Sequence, residues 1–306
     1  MRKEYLFQSA FLEKIREALG WLTYPSFMVG FTALYFWGLH AGIAVETWVV
    51  AVTVINFFTT LLIEQILPRN RQMNYLHDGQ SWNDIGHGMM QAASRAFIQS
   101  ALILIFAFLN DLRLETFGQV WPTYWNFAAQ FVLALLIASF MDFVVHRSFH
   151  TFDWMWHFHA IHHDTPQMHI MKSARVHFGE EIINSTIKPL PLVLLGAPTE
   201  IVVFIGMWTV FDGNIVHSNI HQRFPGWFHY VLGTVQLHNL HHAKDRKYQD
   251  SNYSGSVPLW DIVFRTYNHP DRSELGELGM EQSTVPKSFV KQVFYPFKAQ
   301  FAARHM

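Results

Sequence analysis

Long apolar stretches constrain the fold of this 306-residue chain more than any other feature of its sequence. They occupy residues 24–40, 48–67, 96–109 and 124–145. Most of them approach the ~20 residues that a helix needs to cross a hydrocarbon layer ~30 Å thick. The second half of the chain is more polar and rich in histidine. We therefore expect an all-α integral membrane protein with about four transmembrane helices and a histidine-rich helical cap outside the bilayer.

The charges of the connecting segments predict how the chain is oriented. With the N-terminus inside, the segments before residue 24 and between residues 67 and 96 carry seven lysines and arginines, whereas the opposite loops carry only Arg113. The positive-inside rule then places the cap on the cytoplasmic side. The C-terminal Ala-Ala-Arg-His-Met lacks a dilysine retrieval signal, which favours a bacterial inner membrane over the endoplasmic reticulum.

Two further segments complete the predicted organisation. An apolar stripe within residues 1–23 indicates either an amphipathic helix in the membrane interface or an ordinary packed helix. Residues 187–211 are apolar but broken by prolines and glycine, and each arm is too short to span. We expect a membrane-dipping helical hairpin there, with a soluble core hairpin as the alternative. The predicted units are an interfacial helix at 1–23, transmembrane helices at 24–145, a histidine-rich region at 146–270 that contains the hairpin, and a cytosolic tail at 271–306.

Ten of the nineteen histidines fall into four clusters. Most neighbours within a cluster are three or four residues apart, a spacing that puts side chains on one face of a helix. Side chains that point the same way are suited to share a metal ion. Isolated histidines such as His87 and His169 are expected to be structural. The ten predicted metal ligands are His146, His150, His159, His162, His163, His217, His221, His238, His241 and His242.

The number of imidazoles indicates a dinuclear site. Ten ligands exceed what one ion accepts, whereas two ions with about five each keep an open position apiece. Imidazole suits zinc, copper, iron and nickel, so the residue type alone leaves the metal open. Structural zinc closes at four ligands and hydrolytic zinc usually keeps three plus water, which favours iron for a site this rich in nitrogen. The Glu-x-x-His motifs of soluble di-iron bundles are missing from the sequence.

Three motifs resemble the histidine boxes of the fatty acid hydroxylase/sterol desaturase superfamily of membrane di-iron enzymes. These motifs are His146-Arg-Ser-Phe-His150, Trp156-His-Phe-His159-Ala-Ile-His162-His163 and His238-Asn-Leu-His241-His242. The segment from Arg175 to Glu180 resembles that family's Arg-x-His-Pro-x-Glu element, and residues 252–267 resemble its C-terminal signature. Phe178 and Arg265 depart from the proline and glycine common there, so the substrate stays open. The resemblance extends over residues 130–268, and the region 146–270 is therefore expected to be the di-iron catalytic region.

The resemblance implies an oxidoreductase with two iron ions, O2 as co-substrate and a lipid substrate. Hydroxylation of an unactivated C–H bond is the leading expectation, and desaturation on the same scaffold is the alternative. The sequence contains no cysteine for an iron–sulfur cluster and no Rossmann fingerprint, so the resemblance implies a separate electron donor, a ferredoxin or b-type cytochrome with its reductase. A metal transporter or storage protein is a remote alternative. A net charge of −1 gives no support for nucleic-acid binding.

Four more residues are candidates for supporting the metal ligands or lining a substrate pocket. Asp142 lies one helical turn before His146 and is placed either to accept its ring N–H or to stabilise the helix end. The resemblance adds His177, Glu180 and Asn252. No catalytic residue is expected beyond the metal centre, because the metals carry the difficult chemistry.

Overall fold

The protein is described by a computed structural model that covers residues 2–298, with side chains at 11–99 and 101–298. Within these residues the regular elements are all helical, and extended pairing is limited to two isolated bridges, Pro68 with Ile220 and Ala243 with Leu278. This confirms the all-α fold class. Residue 1 of the predicted interfacial helix and residues 299–306 of the predicted tail lie outside the described residues.

Four long helices come first along the chain. They are α1 (Arg2–His40), α2 (Val45–Ile66), α3 (Ser81–Phe117) and α4 (Phe127–Thr151). Shorter helices follow, namely α5 (Asp153–His163), α6 (Phe178–Ile187), α7 (Leu190–Leu195), α8 (Thr199–Val216), α9 (Val235–His241), α10 (Arg246–Gln249), α11 (Leu259–Val263) and α12 (Phe289–Lys298). Short 3₁₀ helices occupy Ile170–Ala174, Gly226–Tyr230 and Pro270–Arg272.

Three of these helices, α2, α4 and α8, are long and apolar enough to cross a membrane. A fourth span results if the two parts of α3, Ser81–Gln99 and Ala101–Phe117, which are bent by 43°, count as one. The predicted stretch at 24–40 lies in α1, which does not meet the same test on the described residues. The predicted boundary at residue 23 falls inside this continuous helix, close to Pro25. The helical membrane protein is thus confirmed with three or four candidate spans.

The segment 187–211 contains α7 and the first part of α8, two helices of unequal length. Six residues of α7 reach about 9 Å, whereas eighteen residues of α8 reach about 27 Å at the helical rise per residue. The second arm is longer than the sequence pattern predicts, because Asp212 and Asn214 continue the helix. Both polar side chains have partners, since the Tyr24 hydroxyl donates to Asp212 over 3.3 Å and the Asn214 amide donates to Asn56 over 2.8 Å.

Helix α8 is packed between the other long helices. Its Phe204 and Phe211 belong to a core cluster with Phe27 and Phe31 of α1. Its Ile201 and Ile205 join a second cluster with α4, in which Ala134 is completely buried. Because α4 and α8 pack together and both carry histidines at their C-terminal ends, the core of the long helices places two of the four clusters next to each other.

A buried ion-pair network fixes the loop after α2 beneath the cap. The Lys172 ammonium lies 2.5 Å from Asp78 and 2.6 Å from Asp84, and Arg175 donates to Asp84 over 2.8 Å. His169 lies 2.9 Å from Asp78, in agreement with its expected structural role. Although burial opposes it, hydrogen bonds from His169 and Lys172 hold the pKa of Asp78 well below its usual range. The network joins the helix at Ile170–Ala174 to α3.

Candidate metal centre

Nine of the ten predicted ligands converge in two groups, and within each group the ligand atoms lie within 4.8 Å of one another. The two groups are adjacent, since the rings of His163 and His242 are stacked with their centroids 4.4 Å apart. The first group, from α4, α5 and α9, contains His146, His150, His159, His163 and His241. The second group, from α5, the end of α8 and the end of α9, contains His162, His217, His238 and His242.

Each His-x-x-His-His motif supplies both groups. On α5, His159 and His163 are four residues apart and enter the first group, while His162 enters the second. The motif on α9 is divided the other way. His238 and His242 enter the second group, and His241 enters the first. Successive side chains of a helix point in different directions, so one short helix between two sites can serve both.

The nitrogen atoms of each group fit a bound cation. In the first group the Nε2 atoms of His146 and His159 are 3.0 Å apart. In the second group the Nε2 atoms of His217 and His238 are 2.7 Å apart. Two nitrogens bound at right angles to one ion, each at ~2.0–2.1 Å, lie about 2.9 Å apart. Neutral imidazoles have one acceptor nitrogen each, so clusters of Nε2 atoms at these distances suit a shared metal ion.

The other ring nitrogen of several histidines is held from outside the groups. Metal-binding histidines commonly donate this second N–H to a carbonyl or carboxylate, which fixes the ring and its tautomer. In the first group, the Nδ1 atom of His146 lies 2.7 Å from the Tyr253 carbonyl, and that of His241 lies 2.8 Å from the Ser251 carbonyl. The Nδ1 atom of His159, also in the first group, lies 2.9 Å from Glu180. In the second group, the Nδ1 atom of His217 lies 2.6 Å from the Gly213 carbonyl. These contacts turn each Nε2 inward.

Glu180 and Asn252, two of the predicted outer residues, lie beside the first group. Glu180 is buried and contacts His159 directly. Asn252 lies between Ser251 and Tyr253, whose carbonyls are hydrogen-bonded to the rings of two histidines of this group. Its backbone has a left-handed φ of 52°. Asparagine is among the few residues that tolerate this conformation. The sequence carries no signal for the two carbonyls, because any residue type has one.

Asp142 is connected to the first group only indirectly. Its carboxylate accepts hydrogen bonds from Lys188 over 2.5 Å and from the Gly255 amide over 2.7 Å. The sequence offered Asp142 as one possible acceptor of the His146 ring N–H, but this N–H donates to the carbonyl of Tyr253, two residues before Gly255. The direct contact predicted between Asp142 and His146 is therefore wrong. Asp142 fixes the loop that carries the acceptor.

His177 is a helix cap. Its Nδ1 accepts the Gly179 amide at the start of α6 over 3.0 Å, and its Nε2 donates to the Val293 carbonyl of α12 over 3.0 Å. Its ring packs against Phe158. Both ring nitrogens are thus used to join α6 to α12, and neither faces the histidine groups.

His221 is the one predicted ligand that the structure places elsewhere. Its Nε2 lies 3.1 Å from Glu17 of α1, and its backbone amide donates to the Leu67 carbonyl. The four-residue spacing from His217 is not helical, because α8 ends at Val216 and the chain then becomes extended. The sequence argument assumed a continuing helix, and the structure does not bring His221 into either group.

Burial favours the neutral form of five histidines in the two groups. Removal from water lowers the pKa of His162, His163, His238 and His242 well below the ordinary value, and that of His241 to about 3. A histidine binds metal through the neutral imidazole, so the environment favours the ligating form.

Sequence reasoning missed one acidic residue at the edge of the first group. Asp250 Oδ1 lies 3.3 Å from His150 Nδ1, and its other oxygen accepts from the Arg246 guanidinium over 3.1 Å. The only feature of the sequence that could have indicated Asp250 is its position a few residues after the last histidine motif. The side-chain contacts from His150 to Asp250 and from Asp250 to Arg246 connect the buried group to the protein surface.

Comparison with known proteins adds an independent observation. Residues 131–266 match the fatty acid hydroxylase family, a range that contains all nine converging histidines. The ornithine lipid hydroxylase OlsE of Rhizobium tropici is 28% identical over 296 residues, which cover 95% of this chain and 87% of that protein. No solved structure gives a significant match.

More distant relatives are alkylglycerol monooxygenases. The one from Homo sapiens is 24% identical over 200 residues, covering 63% of this chain and 42% of that protein. The one from Danio rerio is 23% identical over 195 residues, covering 62% and 43%. This chain spans less than half the length of either protein.

Proposed function

Because this chain belongs to the fatty acid hydroxylase/sterol desaturase superfamily, we propose that it is a di-iron monooxygenase that hydroxylates an unactivated C–H bond of a membrane lipid. The superfamily consists of metal-dependent oxygenases, and this member is a membrane-bound oxidoreductase. The observation that carries the proposal is the convergence of nine histidines in two adjacent groups at the ends of candidate membrane spans. Hydroxylation is favoured over desaturation because the named relatives are a hydroxylase and monooxygenases.

We assign one iron to each histidine group, with five nitrogens for the first and four for the second. His221 is left out of this ligand set because of its distance from the other nine. When bound, the two irons supply the activation of O2 and the oxidising power that breaks the C–H bond. Five nitrogens exceed the four-coordinate tetrahedral environment typical of structural zinc, which supports iron.

The protein's own residues orient the ligands and exclude water. Glu180 and the carbonyls of Ser251, Tyr253 and Gly213 hold the outer ring nitrogens. Most of the nine histidine side chains are buried, so bulk water is kept from the reaction. Since His150 and His217 lie at the ends of α4 and α8, a lipid lying beside these helices is close to the centre.

We propose that the protein spans the inner membrane of a bacterium several times and that its metal centre faces the cytoplasm. The charge distribution of the loops supports this orientation. We propose that reducing equivalents come from another protein, since the sequence has no cysteine to hold an iron–sulfur cluster. A ferredoxin or a b-type cytochrome with its reductase is the proposed donor.

The test is to purify the full chain in nanodiscs, measure its metals, and supply O2, a reductant and bacterial lipids. We expect about two irons per chain, the count that the ligands support. Mass spectrometry is expected to show a lipid that has gained one oxygen atom derived from labelled O2. A lipid that has lost two hydrogens instead would identify a desaturase. Native zinc together with no O2 consumption under any reductant would overturn the proposal.

His238→Ala removes a ligand of the second group and is expected to abolish product formation and lower the iron content. The matched control is His229→Ala, since His229 is also a buried histidine of the cap but contacts Thr234 and lies outside both groups. This control is expected to retain iron. Equal loss of iron in both variants would indicate general unfolding, and retention in both would contradict the ligand assignment.

A further inference from the structure

A cavity of about 130 Å³ lies on the flank of the second histidine group. Its volume is about ten times the ~10–15 Å³ that one water molecule requires in this measure, so it has room for a group of several atoms. Its walls combine polar and apolar side chains. The lining residues include Arg69, Met168, Ser218, Asn219, Asn239 and Leu278.

The cavity and the second histidine group share two chain segments. Ser218 and Asn219 directly follow His217, and Asn239 directly follows His238. Adjacent residues of a helix point about 100° apart, so Asn239 faces the cavity while its neighbour faces the metal group. A molecule bound in the cavity therefore lies next to the centre without occupying the ligand positions.

Two polar groups at the cavity have no partner in the described part of the chain. Asn239 is buried, and its Oδ1 accepts no hydrogen bond. The Arg69 guanidinium is partly buried, and its removal from water lowers the pKa of Arg69 with no compensating carboxylate among the described residues. By contrast, the buried cations Lys172 and Arg175 are paired with aspartates. An unpaired cation that is partly removed from water is costly unless an anion joins it.

The loop that carries Arg69 is held in place. Its backbone amide donates to the Asn219 carbonyl over 2.6 Å, and the Asn219 side-chain amide donates to the carbonyls of Asn70 and Met73 over 2.7 and 2.6 Å. Arg69 lies three residues after the end of α2, a candidate span that ends at Ile66. A residue this close to the end of a span is expected at the level of the lipid headgroups.

We propose that this cavity binds an anionic group of the carboxylate or phosphate class, and that this anion is part of the headgroup of the lipid substrate. Arginine recognises both anions through two parallel N–H donors. Asn239 adds a further polar contact, and Met168 and Leu278 offer apolar surface to the adjoining carbon chain. The second part of the proposal rests on the proposed lipid hydroxylase function, whereas binding of the anion does not.

The test compares phosphatidic acid with diacylglycerol of the same acyl chains, each in phosphatidylcholine nanodiscs that hold the iron-loaded full chain. Lipid occupancy is measured by native mass spectrometry without O2 or reductant. The wild-type protein is expected to prefer the anionic lipid by about tenfold or more, as for a hydrogen bond to a charged group. Arg69→Gln is expected to abolish the preference. Arg71→Gln, an exposed arginine of the same loop, is the matched control and is expected to keep it.

Retention of the full preference for the anionic lipid in Arg69→Gln, or absence of the preference in the wild type, would overturn the headgroup assignment.

Inorganic phosphate distinguishes between the two sources of the anion, a lipid headgroup and a soluble anion. Displacement of phosphatidic acid by phosphate from the wild type supports the proposal. Thermal stabilisation by phosphate that depends on Arg69, without any lipid preference, would assign the cavity to a soluble anion and overturn the headgroup.

Two measurements keep the proposal testable if Arg69→Gln fails to fold. Arg69→Lys retains the charge and is expected to keep part of the preference. Phosphate competition on the wild type needs no variant, and failure of phosphate to compete would count against the proposal. Because binding is measured without turnover, a preference for the anionic lipid can be present in a protein that hydroxylates nothing. Failure of the proposed function is therefore distinguishable from failure of the site.

Discussion

At the scale of single residues, the metal centre depends on groups that do not bind metal. Asn252 has a left-handed φ of 52°, and the carbonyls on either side of it hold His146 and His241. Nine of the ten ligand positions that the sequence predicted converge, and for most of them the reason is helical spacing. It could not predict the carbonyl partners Ser251 and Tyr253, because backbone groups are common to all residues.

Replacement of Asn252 by a β-branched residue is expected to disturb the first histidine group. A non-glycine residue in the left-handed region costs about 1–2 kcal/mol, and more when it is branched at Cβ. Asn252→Val should therefore lower the iron content and the unfolding temperature, whereas Asn252→Gly should keep the conformation and most of the iron. Metal analysis of both variants is the measurement. Normal iron in the valine variant would contradict this role.

Glu180 provides a second prediction at this scale. Its carboxylate holds the His159 ring, and loss of such a partner typically weakens metal binding by about 10–100-fold. Glu180→Leu is expected to release iron to a chelator in this range, while Glu180→Gln keeps an acceptor and should lose less. The competing chelator concentration at half-loss is the readout. Equal affinities in the two variants would show that the hydrogen bond is unimportant.

At the scale of elements, helix ends decide where the sequence argument holds. On α5 and α9 the three- and four-residue spacings lie within a helix or at its last turn, and all six histidines of the two motifs join the groups. After α8 the same four-residue spacing crosses a helix end, so His221 turns towards Glu17. Spacing thus predicts a shared face only where the helix continues, and the end of α8 was not evident from composition.

The division of each motif between two groups leads to a test with adjacent residues. His162→Ala removes a ligand of the second group, and His163→Ala removes one of the first. We expect the two variants to give different Mössbauer spectra, because each changes the environment of a different iron. The two variants are each other's control, since both lose a buried histidine of α5. Identical spectra would contradict the assignment of separate groups.

At the scale of the whole molecule, apolar segment lengths predicted a helical membrane protein, and the structure agrees. They did not predict the length of α8, because Asp212 and Asn214 resemble the end of a span in a sequence. Their partners Tyr24 and Asn56 are more than 150 residues away in the chain, and only tertiary structure reveals them. The ion-pair network beneath the cap was equally hidden, since its members are dispersed along the sequence.

This network predicts a pH dependence of stability. The folded-state pKa of Asp78 lies below its unfolded value, so its contribution is present above the unfolded value of about 3.9 and is lost as the pH falls towards the folded value. Asp78→Asn is expected to lower the free energy of unfolding by about 1–3 kcal/mol at neutral pH, because Lys172 loses one of its two carboxylate partners and keeps Asp84. The difference from the wild type should shrink below pH ~4. Denaturation in micelles at several pH values measures it, and a constant difference would contradict the role.

The polar partners of α8 also have a consequence for biogenesis. A single aspartate opposes the insertion of an isolated membrane helix by about 2.5–3.5 kcal/mol at the helix centre and by less near the end, where Asp212 lies in α8. Asp212 and Asn214 find their partners on α1 and α2, which leave the ribosome first. We therefore expect α8 to enter the bilayer against helices that are already in place. Because α1 and α2 are synthesised before α8, the hydrogen-bond partners of Asp212 and Asn214 are present when α8 is inserted.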